Sequence, residues 1–344
     1  MQFVSAGESH GKALVAILSG FPAGLKFDRV LLETELIRRR SGSASTKRLE
    51  LETDEVKILS GISGDVTTGA PLSFLVENSP QGTQFFENRV KGKGFPRPGH
   101  VDYCSYIKFG YDDFSIGSER SSARETVLRV AAGSFCKMLL KEFGMAVSSQ
   151  ILEIGGVEFN SFDPEQQKND IEKGSCGGVL KVILSGVPVG LGSNSQWFDK
   201  LDANLARAFI SIPSVKGVYF GETSVHKMRG VESIDHFTGN GAERKSNMAG
   251  GIEGGISNGC PVVATLYFKP VPTQPVEFET VSPVDGEKGM CGGGMNDLWC
   301  IDRAAVIAES MLAFVAADAF CKKFGSDSMA DIISSYESYC ERSK

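Results

Sequence analysis

Short apolar runs that end in glycine or proline turns alternate along this chain with longer segments of helical spacing. The runs are bounded by turn residues, which is typical of strands. They predict strands over Ala13–Ser19, Leu72–Val76, Val179–Ser185 and Pro261–Phe268. Two further segments have apolar residues every three or four positions, which predicts helices over Arg29–Arg40 and Asp199–Ile210.

Two longer helices are predicted from stronger signals. The first begins at Ser122-Ala-Arg-Glu125, which has the form of a capping box, and ends at Gly144. A matching helix runs from about Ala304 to Phe324, and residues 326–344 predict a C-terminal helical tail. Helices and turn-bounded strands are interleaved without regular strand–helix–strand units, which favours an α+β fold of mixed layers.

Three blocks of sequence occur twice, in the same order along the chain. They are VAILSGFPAGL from Val15 and KVILSGVPVGL from Lys181, GISGDVTTGAPL from Gly61 and GIEGGISNGCPV from Gly251, and ETVLRVAAGSFCK from Glu125 and ESMLAFVAADAFCK from Glu309. Repeats in one order indicate an internal duplication, although glycine and proline turns also resemble one another by chance. We therefore predict a single domain of two halves, roughly residues 1–150 and 170–325, packed about a pseudo-twofold axis.

Composition and charge narrow the class of protein. Of 344 residues, 41% are hydrophobic and 23% charged, as in ordinary globular proteins, while glycine is abundant at 40 residues. The net charge of −6 argues against a nucleic-acid binder, which needs a basic surface. No uninterrupted apolar run approaches the ~18 residues of a membrane span, and the first residues do not resemble a signal peptide. Eight scattered cysteines predict free thiols in the cytoplasm and no metal site.

Two of the four histidines lie in glycine-rich turns, where backbone approaches a ligand closely. His10 lies in Gly7–Gly11, and His100 lies in Pro96–Asp102. Histidine is the side chain best suited to proton transfer near neutral pH, although a lone loop histidine is often only a surface residue. The second half has Cys176 where the first has His10, so we expect asymmetric chemistry.

Basic residues cluster in three places despite the acidic total. They are Arg38–Arg40 with Lys47 and Arg48, the segment from Arg89 to Arg97, and Arg120, Arg124 and Arg129 around the predicted start of the first long helix. Arg120-Ser121-Ser122 would offer an anion both side-chain charge and the backbone donors of a helix N-terminus. Each cluster alone is equally consistent with a solvated surface. Together they indicate an enzyme or binding protein for a small ligand with several negative charges.

Five motifs resemble the signature of the chorismate synthase family. They are Gly-Glu-Ser-His-Gly from Gly7, Arg-Pro-Gly-His-Val-Asp from Arg97, Arg-Ser-Ser-Ala-Arg-Glu-Thr from Arg120, Ser-Ile-Pro-Ser-Val-Lys-Gly from Ser211 and Gly-Gly-Ile-Glu-Gly-Gly-Ile-Ser-Asn-Gly from Gly250. The resemblance implies a lyase that converts 5-enolpyruvylshikimate 3-phosphate to chorismate, eliminating phosphate and one ring hydrogen with the help of reduced FMN. It also implies a layered sandwich, in which two antiparallel sheets enclose helices, assembled as a homotetramer.

The resemblance also implies roles for single residues. The implied catalytic residues are His10 beside the substrate phosphate, its neighbour Ser9, His100 as a proton donor to the flavin, and Asp297 in hydrogen removal. The implied flavin contacts are Arg120, Ser121, Ser122, Pro213, Ser214, Gly254, Lys269, Pro270, Val271, Pro272, Thr273 and Met295. The implied substrate contacts are Arg39, Arg48, Arg97 and Arg124, whose charges suit a phosphate and two carboxylates.

Two alternatives stay open at this point. Members of the family reduce FMN either with NADPH or through an external reductant, and the sequence does not choose between them. Met295 and Ser45 also replace arginines that the family usually has, so a diverged, non-catalytic or repurposed flavin- or anion-binding relative is the second reading. The retained His10, His100 and Asp297 argue against that reading, since a protein without catalysis has no need of all three.

Overall fold

The structure is a computed structural model that describes residues 1–42, 54–79, 95–239, 243–293 and 297–342. Its strands are β1 Gln2–Ala6, β2 Ala13–Ser19, β3 Val56–Ser60, β4 Ile62–Ser63, β5 Val66–Thr67, β6 Leu72–Glu77, β7 Ala146–Ile154, β8 Val157–Glu158, β9 Gly178–Ser185, β10 Val215–Phe220, β11 Ile252–Glu253, β12 Ile256–Ser257, β13 Val262–Phe268, β14 Glu277–Val281 and β15 Lys288–Gly292. Its α-helices are α1 Arg29–Arg40, α2 Asp102–Phe109, α3 Ile116–Ser121, α4 Thr126–Glu142, α5 Pro164–Asn169, α6 Leu201–Ile210, α7 Ile301–Phe324 and α8 Met329–Arg342. This mixture of helices and antiparallel sheets confirms the α+β class.

Two antiparallel sheets are the largest β-structures of the described residues. The first has the strand order β1-β2-β6-β3, and the second has the order β10-β13-β9-β7-β8. Along β2, Leu14, Ala16 and Leu18 are buried while Val15 and Ile17 are exposed, because successive side chains of a strand point to opposite faces. One face of the first sheet therefore packs on the core, and the other carries apolar side chains at the surface.

The core is organised around α4 and α7, which pack against each other. α4 contacts β2 and β6 of the first sheet, and α7 contacts β7 and β9 of the second. The two helices approach closely at Gly133, where an added Cβ would lie 2.4 Å from the Cβ of Ser310. This contact explains why a residue of low helix propensity lies in the middle of α4. α1 packs on both long helices, and α6 packs on α7.

By length and composition, α7 is the one described helix that would be able to cross a membrane. In the fold, however, 78% of its apolar window is buried inside the protein. A helix that is apolar on all sides is also what the centre of a large core requires. Its contacts with α4, α6 and the second sheet give it that position here.

Most predicted elements are confirmed, with shifts at their ends. The strand β2 and the helix α1 have the predicted bounds, and the other three predicted strands each differ by one residue. α6 begins at Leu201 rather than Asp199, and α7 begins at Ile301 rather than Ala304. α8 lies within the segment for which a helical tail was predicted.

The predicted start of the first long helix is wrong. Ser122 caps a single 3-10 turn, Ala123–Glu125, by accepting a hydrogen bond from the Arg124 N–H, and α4 begins only at Thr126. Glu125 does not close a capping box but pairs with Arg129, with a distance of 2.8 Å between Oε1 and Nη2. An acid four residues before an arginine on a helix is able to pair with that arginine instead of closing a capping box. The capping-box motif alone does not show which of the two occurs.

A buried ion-pair cluster joins α1, α4, α7 and β7 at Glu309. Both carboxylate oxygens accept from the Arg38 guanidinium at 2.9 Å, and the same carboxylate accepts from Lys137 Nζ at 2.7 Å and Ser149 Oγ at 2.6 Å. Glu309 is only 2% exposed. Burial alone would raise its pKa, but the hydrogen bonds and charges of Arg38 and Lys137 outweigh burial and lower the pKa to about 2.

This cluster predicts a loss of stability in acid. A carboxyl whose pKa is depressed by folding stabilises the protein above its unfolded pKa, and the contribution disappears as pH falls through the folded value. A shift from 4.5 to about 2 corresponds to roughly 3 kcal/mol. The wild type is therefore expected to lose about 3 kcal/mol more than Glu309→Gln between pH 6 and pH 2, measured by urea unfolding.

The matched control for this prediction is Glu77→Gln. The Glu77 side chain is 65% exposed and pairs with Lys57 at the surface, where ion pairs contribute little. Its unfolding free energy is expected to follow that of the wild type at every pH. A Glu309→Gln curve that runs parallel to the wild-type curve would contradict the assignment.

Candidate active site

The loop between β1 and β2 holds Ser9 and His10 against a buried carboxylate. Glu119 Oε2 accepts hydrogen bonds from Ser9 Oγ at 2.8 Å and from the His10 backbone N–H at 2.9 Å. His10 Nδ1 lies 3.0 Å from Glu119 Oε1. Burial would raise the pKa of Glu119, but the hydrogen bonds from His10 and Ser9 outweigh burial and lower it. The ionised carboxylate therefore fixes both residues of the loop.

Asn78, one residue after β6, connects this loop to the arginines. Its side-chain Nδ2 donates to the Glu8 carbonyl at 3.0 Å and to the Gly11 carbonyl at 2.9 Å. Its Oδ1 accepts from Arg124 Nε at 3.1 Å. A single amide thus fastens both ends of the His10 turn and orients one arginine.

Arg39 and Arg124 share the carboxylate of Asp54. Arg39 Nη1 donates to Asp54 Oδ2 at 2.7 Å, and Arg124 Nη1 donates to Asp54 Oδ1. The three side chains are buried, with 7%, 5% and 3% exposure for Arg39, Arg124 and Asp54. Arg39 Nε also donates to Thr126 Oγ1 at 3.1 Å, at the start of α4. Two guanidinium groups held on one acid form a rigid cationic wall, which suits an anionic ligand.

The second histidine is also backed by a carboxylate. His100 Nδ1 lies 2.6 Å from Asp102 Oδ1, and Arg97 reaches the same carboxylate through Nε at 2.8 Å and Nη2 at 2.9 Å. Burial would raise the pKa of Asp102, but His100 and Arg97 outweigh burial and hold it well below its usual range. Lys269 Nζ donates to the Gly99 carbonyl at 3.1 Å, which joins this turn to the end of β13.

Asp297 lies in a small cavity of about 110 Å³ beside Arg39. Its Oδ2 is 2.6 Å from Arg303 Nη2, whereas its buried Oδ1 has no hydrogen-bond partner among the described residues. The walls also include Ile212, Pro213, Ser214, Val271, Cys300 and Ile307. A buried carboxylate oxygen without a donor is costly unless a ligand or a proton meets it. The cavity therefore has the character of a reaction site.

A groove of about 1310 Å³ adjoins this cavity and shares Ile212, Pro213 and Ser214 with it. Its walls carry the basic side chains of Arg120, Arg129, Arg207, Lys216 and Lys269. Ser214 has a left-handed backbone, with φ +71, which is uncommon for a residue other than glycine and is found most often at functional sites. Its carbonyl accepts from the Lys269 N–H at 2.9 Å, which fixes the two predicted flavin contacts relative to each other.

Eight of the predicted site residues line the cavity or the groove: Arg39, Arg120, Ser121, Pro213, Ser214, Lys269, Val271 and Asp297. Gly254 lies in the exposed turn of the β11–β12 hairpin and lines neither of them. Arg97 is engaged with Asp102 rather than presented to the cavity. Arg48 and Met295 lie outside the described residues. Neither the cavity nor the groove has Ser9, His10, His100, Arg124, Ser122, Pro270, Pro272 or Thr273 among its lining residues.

The helix N-terminus predicted for the Arg120 triplet is wrong. Arg120 and Ser121 form the last turn of α3, at the opposite end of a helix from the one expected. Arg120 Nη2 donates to Ser5 Oγ at 2.6 Å, and this contact brings it to the groove beside β1. The triplet therefore presents side-chain donors, and no helix N-terminus stands behind Arg120.

Sequence reasoning missed the residues that orient this site. They are Asp54, Asn78 and Glu119. None of them stands within a few residues of its partner, so no local spacing reveals the pairing. Asp102 differs from these residues, because it stands two residues after His100 in the same motif and the sequence therefore indicates the pair.

The fold and the site together define an α+β enzyme with a cationic cleft, to which hydrogen bonds connect two histidine–carboxylate pairs. A model of the chorismate synthase family matches residues 1–321, and the chain belongs to the chorismate synthase family. It is 39% identical to the chorismate synthase of Caldanaerobacter subterraneus subsp. tengcongensis and 38% identical to that of Thermoanaerobacter pseudethanolicus, over 98% of both chains in each case. It is also similar to a crystal structure of chorismate synthase, with a TM-score of 0.78 and 30% identity over 100% of this chain and 98% of the other.

Proposed function

We propose that this chain carries out the elimination that defines its family, converting 5-enolpyruvylshikimate 3-phosphate to chorismate with loss of phosphate and one ring hydrogen. The observation that carries the proposal is one connected set of contacts. Asn78 joins the His10 loop to Arg124, Asp54 joins Arg124 to Arg39, and Arg39 lines the Asp297 cavity. Hydrogen bonds thus connect the loop of the proposed acid, His10, through the cations to the cavity that holds the proposed base, Asp297.

The deciding experiment is an anaerobic assay with dithionite-reduced FMN and the phosphorylated substrate. Chorismate is expected to appear. If reduced FMN binds and no chorismate forms, the chain is instead a diverged flavin-binding relative.

The arginines and histidines divide the work on the substrate. Cleavage of the carbon–oxygen bond places negative charge on the departing phosphate, so cationic donors help most as that bond breaks. Arg39 and Arg124 bind the anionic groups of the substrate, with Arg48 and Arg97 as further contacts. His10 donates a proton to the phosphate, and Ser9 supports it. His100 is the proton donor on the flavin side of the cleft.

The residues of the cavity and groove fit a flavin. Ile212, Pro213 and Val271 offer apolar walls for a planar ring, and Ser214, Arg120 and Lys269 offer donors for its carbonyls and phosphate. These residues would hold reduced FMN, which would provide an electron transiently, with no net redox change in the reaction. The remaining predicted contacts are Ser121, Ser122, Gly254, Pro270, Pro272, Thr273 and Met295. Either this chain reduces the flavin with NADPH, or an external donor reduces it. NADPH oxidation by the chain with FMN and no further reductant indicates the first route, and its absence indicates the second.

Asp297→Asn is expected to slow the chemical step by about 10²-fold, the usual scale for a positioned acid–base group. Asp297 Oδ1 has no donor among the described residues, so it is the atom suited to accept the ring proton. The amide keeps the shape but accepts a proton poorly. Single-turnover rates under anaerobic conditions measure the effect, and reduced-FMN affinity is expected to change little. Equal rates for this variant and for a control at the exposed turn, Asp285→Asn, would remove Asp297 from the mechanism.

The same proposal extends to the origin of the fold, a layered sandwich of two duplicated halves. When β2 is matched to β9 and β6 to β13, as the sequence repeat requires, both sheets have the same strand order apart from β8. Three hydrogen bonds around Thr67 in the first half have equivalents around Ser257 in the second half. In the first half, Gly24 N–H donates to Thr67 O, Thr67 Oγ1 donates to Pro22 O, and Leu25 N–H donates to Thr67 Oγ1. In the second half, Gly190 N–H donates to Ser257 O, Ser257 Oγ donates to Pro188 O, and Leu191 N–H donates to Ser257 Oγ. These pairs support a duplication more strongly than sequence identity does.

We further propose a cytoplasmic homotetramer. The outer face of the first sheet exposes Val4, Ile17 and Leu59 at 66%, 50% and 62%, and contiguous apolar side chains of this kind often mark an interface. All eight cysteines are unpaired, as expected in a reducing compartment. Sedimentation velocity measures the assembly, and a monomer at micromolar concentration would contradict it.

A further inference from the structure

We infer that Glu119 is a positioning residue that holds His10 with its proton on Nδ1 and its Nε2 turned toward the substrate. The inference deepens the proposed function and rests on it for the role of His10. It concerns a carboxylate that lies more than one hundred residues from His10 along the chain and outside the five family motifs.

The hydrogen bonds around Glu119 decide where the protons lie. An ionised carboxylate only accepts hydrogen bonds. Oε2 lies 2.8 Å from Ser9 Oγ and 2.9 Å from the His10 backbone nitrogen, so both of these groups donate to it. His10 Nδ1 lies 3.0 Å from Oε1, 3.1 Å from Oε2 and 3.1 Å from Ser9 Oγ, whose own hydrogen is directed to Oε2. A bare ring nitrogen there would face carboxylate lone pairs, so Nδ1 carries a hydrogen.

The burial of the pair makes this arrangement rigid. Glu119 is 7% exposed and Ser9 is 5% exposed, so water does not compete freely for the carboxylate. The Ser9 N–H also donates to the Glu119 carbonyl at 3.1 Å, which ties the loop to α3 by backbone as well as side chain. Because Nδ1 and Nε2 lie on opposite sides of the ring, fixing Nδ1 directs Nε2 away from Glu119. A carboxylate behind a histidine sets its tautomer and balances the charge of its protonated form.

The two histidine–carboxylate pairs of the site differ in one respect. The Asp102 carboxylate behind His100 is shared with the Arg97 guanidinium. Among the described residues, the Glu119 carboxylate accepts hydrogen bonds only from His10 and Ser9. A negative charge that is not shared with an arginine acts more fully on the ring beside it, which suits the histidine that faces a departing phosphate.

Glu119→Gln tests the inference, because an amide has one acceptor and one donor end. If its oxygen takes the place of Oε2 and keeps the bonds from Ser9 and the His10 N–H, its NH₂ takes the place of Oε1, 3.0 Å from Nδ1, and is expected to donate to it. The proton of the neutral ring would then move to Nε2. Glu119→Asp keeps an acceptor-only group at this place and is the conservative rescue.

The first readout is ¹⁵N NMR of protein labelled at histidine, which has only four such residues. The His10 signals are assigned by their loss in His10→Gln, and spectra are taken near pH 8.5, where an ordinary histidine is neutral. Nδ1 is expected to be protonated in the wild type and in Glu119→Asp, and unprotonated in Glu119→Gln. An unprotonated Nδ1 in the wild type, or a protonated one in Glu119→Gln, would overturn the inference.

The matched control is Glu125→Gln, which removes one buried carboxylate six residues along the chain. Glu125 pairs with Arg129 and makes no bond to His10, so the His10 nitrogen signals are expected to match those of the wild type. A change in them equal to that of Glu119→Gln would mean that any lost charge nearby produces the effect.

The second readout is kinetic. Glu119→Gln is expected to lower kcat by about 10- to 100-fold, the range found when the hydrogen-bond partner behind a metal-binding histidine is removed, while KM and reduced-FMN affinity stay nearly constant. Glu119→Asp is expected to recover much of the rate. An unchanged kcat would overturn the positioning role. If the wild type itself makes no chorismate, the proposed function fails, but the NMR result still decides whether Glu119 sets the tautomer.

Discussion

Replacement of His10 or His100 by alanine is expected to lower turnover by ~10²-fold or more, the usual scale for a positioned proton donor. Each ring has its Nδ1 against a buried carboxylate, at 3.0 Å for His10 and 2.6 Å for His100. His10 lies between β1 and β2 and His100 lies just before α2, so neither is able to take the place of the other. The measurement is kcat in the anaerobic assay with dithionite-reduced FMN.

A third histidine provides the control. His226 lies at the surface, where its Nδ1 is 3.1 Å from the carbonyl of Thr223 within the same turn. His226→Ala is expected to have wild-type turnover. Near-wild-type turnover in His10→Ala or His100→Ala would reduce that histidine to a structural role.

Asp54→Asn is expected to destabilise the fold by about 3–5 kcal/mol, the scale for removing one partner of a buried ion pair. Asp54 is 3% exposed and is shared by Arg39 and Arg124, so its loss leaves two buried guanidinium groups with less negative charge beside them. Its backbone has φ +50, a conformation that asparagine also tolerates, so the substitution isolates the charge. Urea unfolding at neutral pH measures the free energy.

The same variant is expected to weaken substrate binding, because Arg39 and Arg124 lose the anchor that holds them in place. Asp65→Asn is the control, since Asp65 is exposed in the β4–β5 turn and such changes usually cost less than ~0.5 kcal/mol. If the two variants unfold at the same urea concentration, Asp54 is not the centre of a buried cluster. If KM stays constant in Asp54→Asn, the two arginines do not bind the substrate.

Local sequence was a good guide to the elements that carry a periodic pattern. The strand β2 alternates buried Leu14, Ala16 and Leu18 with exposed neighbours, and its bounds follow directly from that alternation. The capping-box prediction failed because Glu125 has a second partner, Arg129, one turn further along. The polar side chains of such short motifs have several possible hydrogen-bond partners, and the residues packed around them determine which bond forms.

The sequence by itself determined the α+β class, the main strands and helices, the repeated blocks and the family to which the chain belongs. It also indicated His10, His100 and Asp297 as candidate catalytic residues, because a sequence motif is recognised from residues that are close along the chain. Only the tertiary structure decided which groups orient them. Glu119 reaches His10, Asp54 joins Arg39 to Arg124, and Asn78 ties the first loop to the arginines, all across long separations. Such pairings arise when separate elements pack on a common core, and no local period or spacing records them.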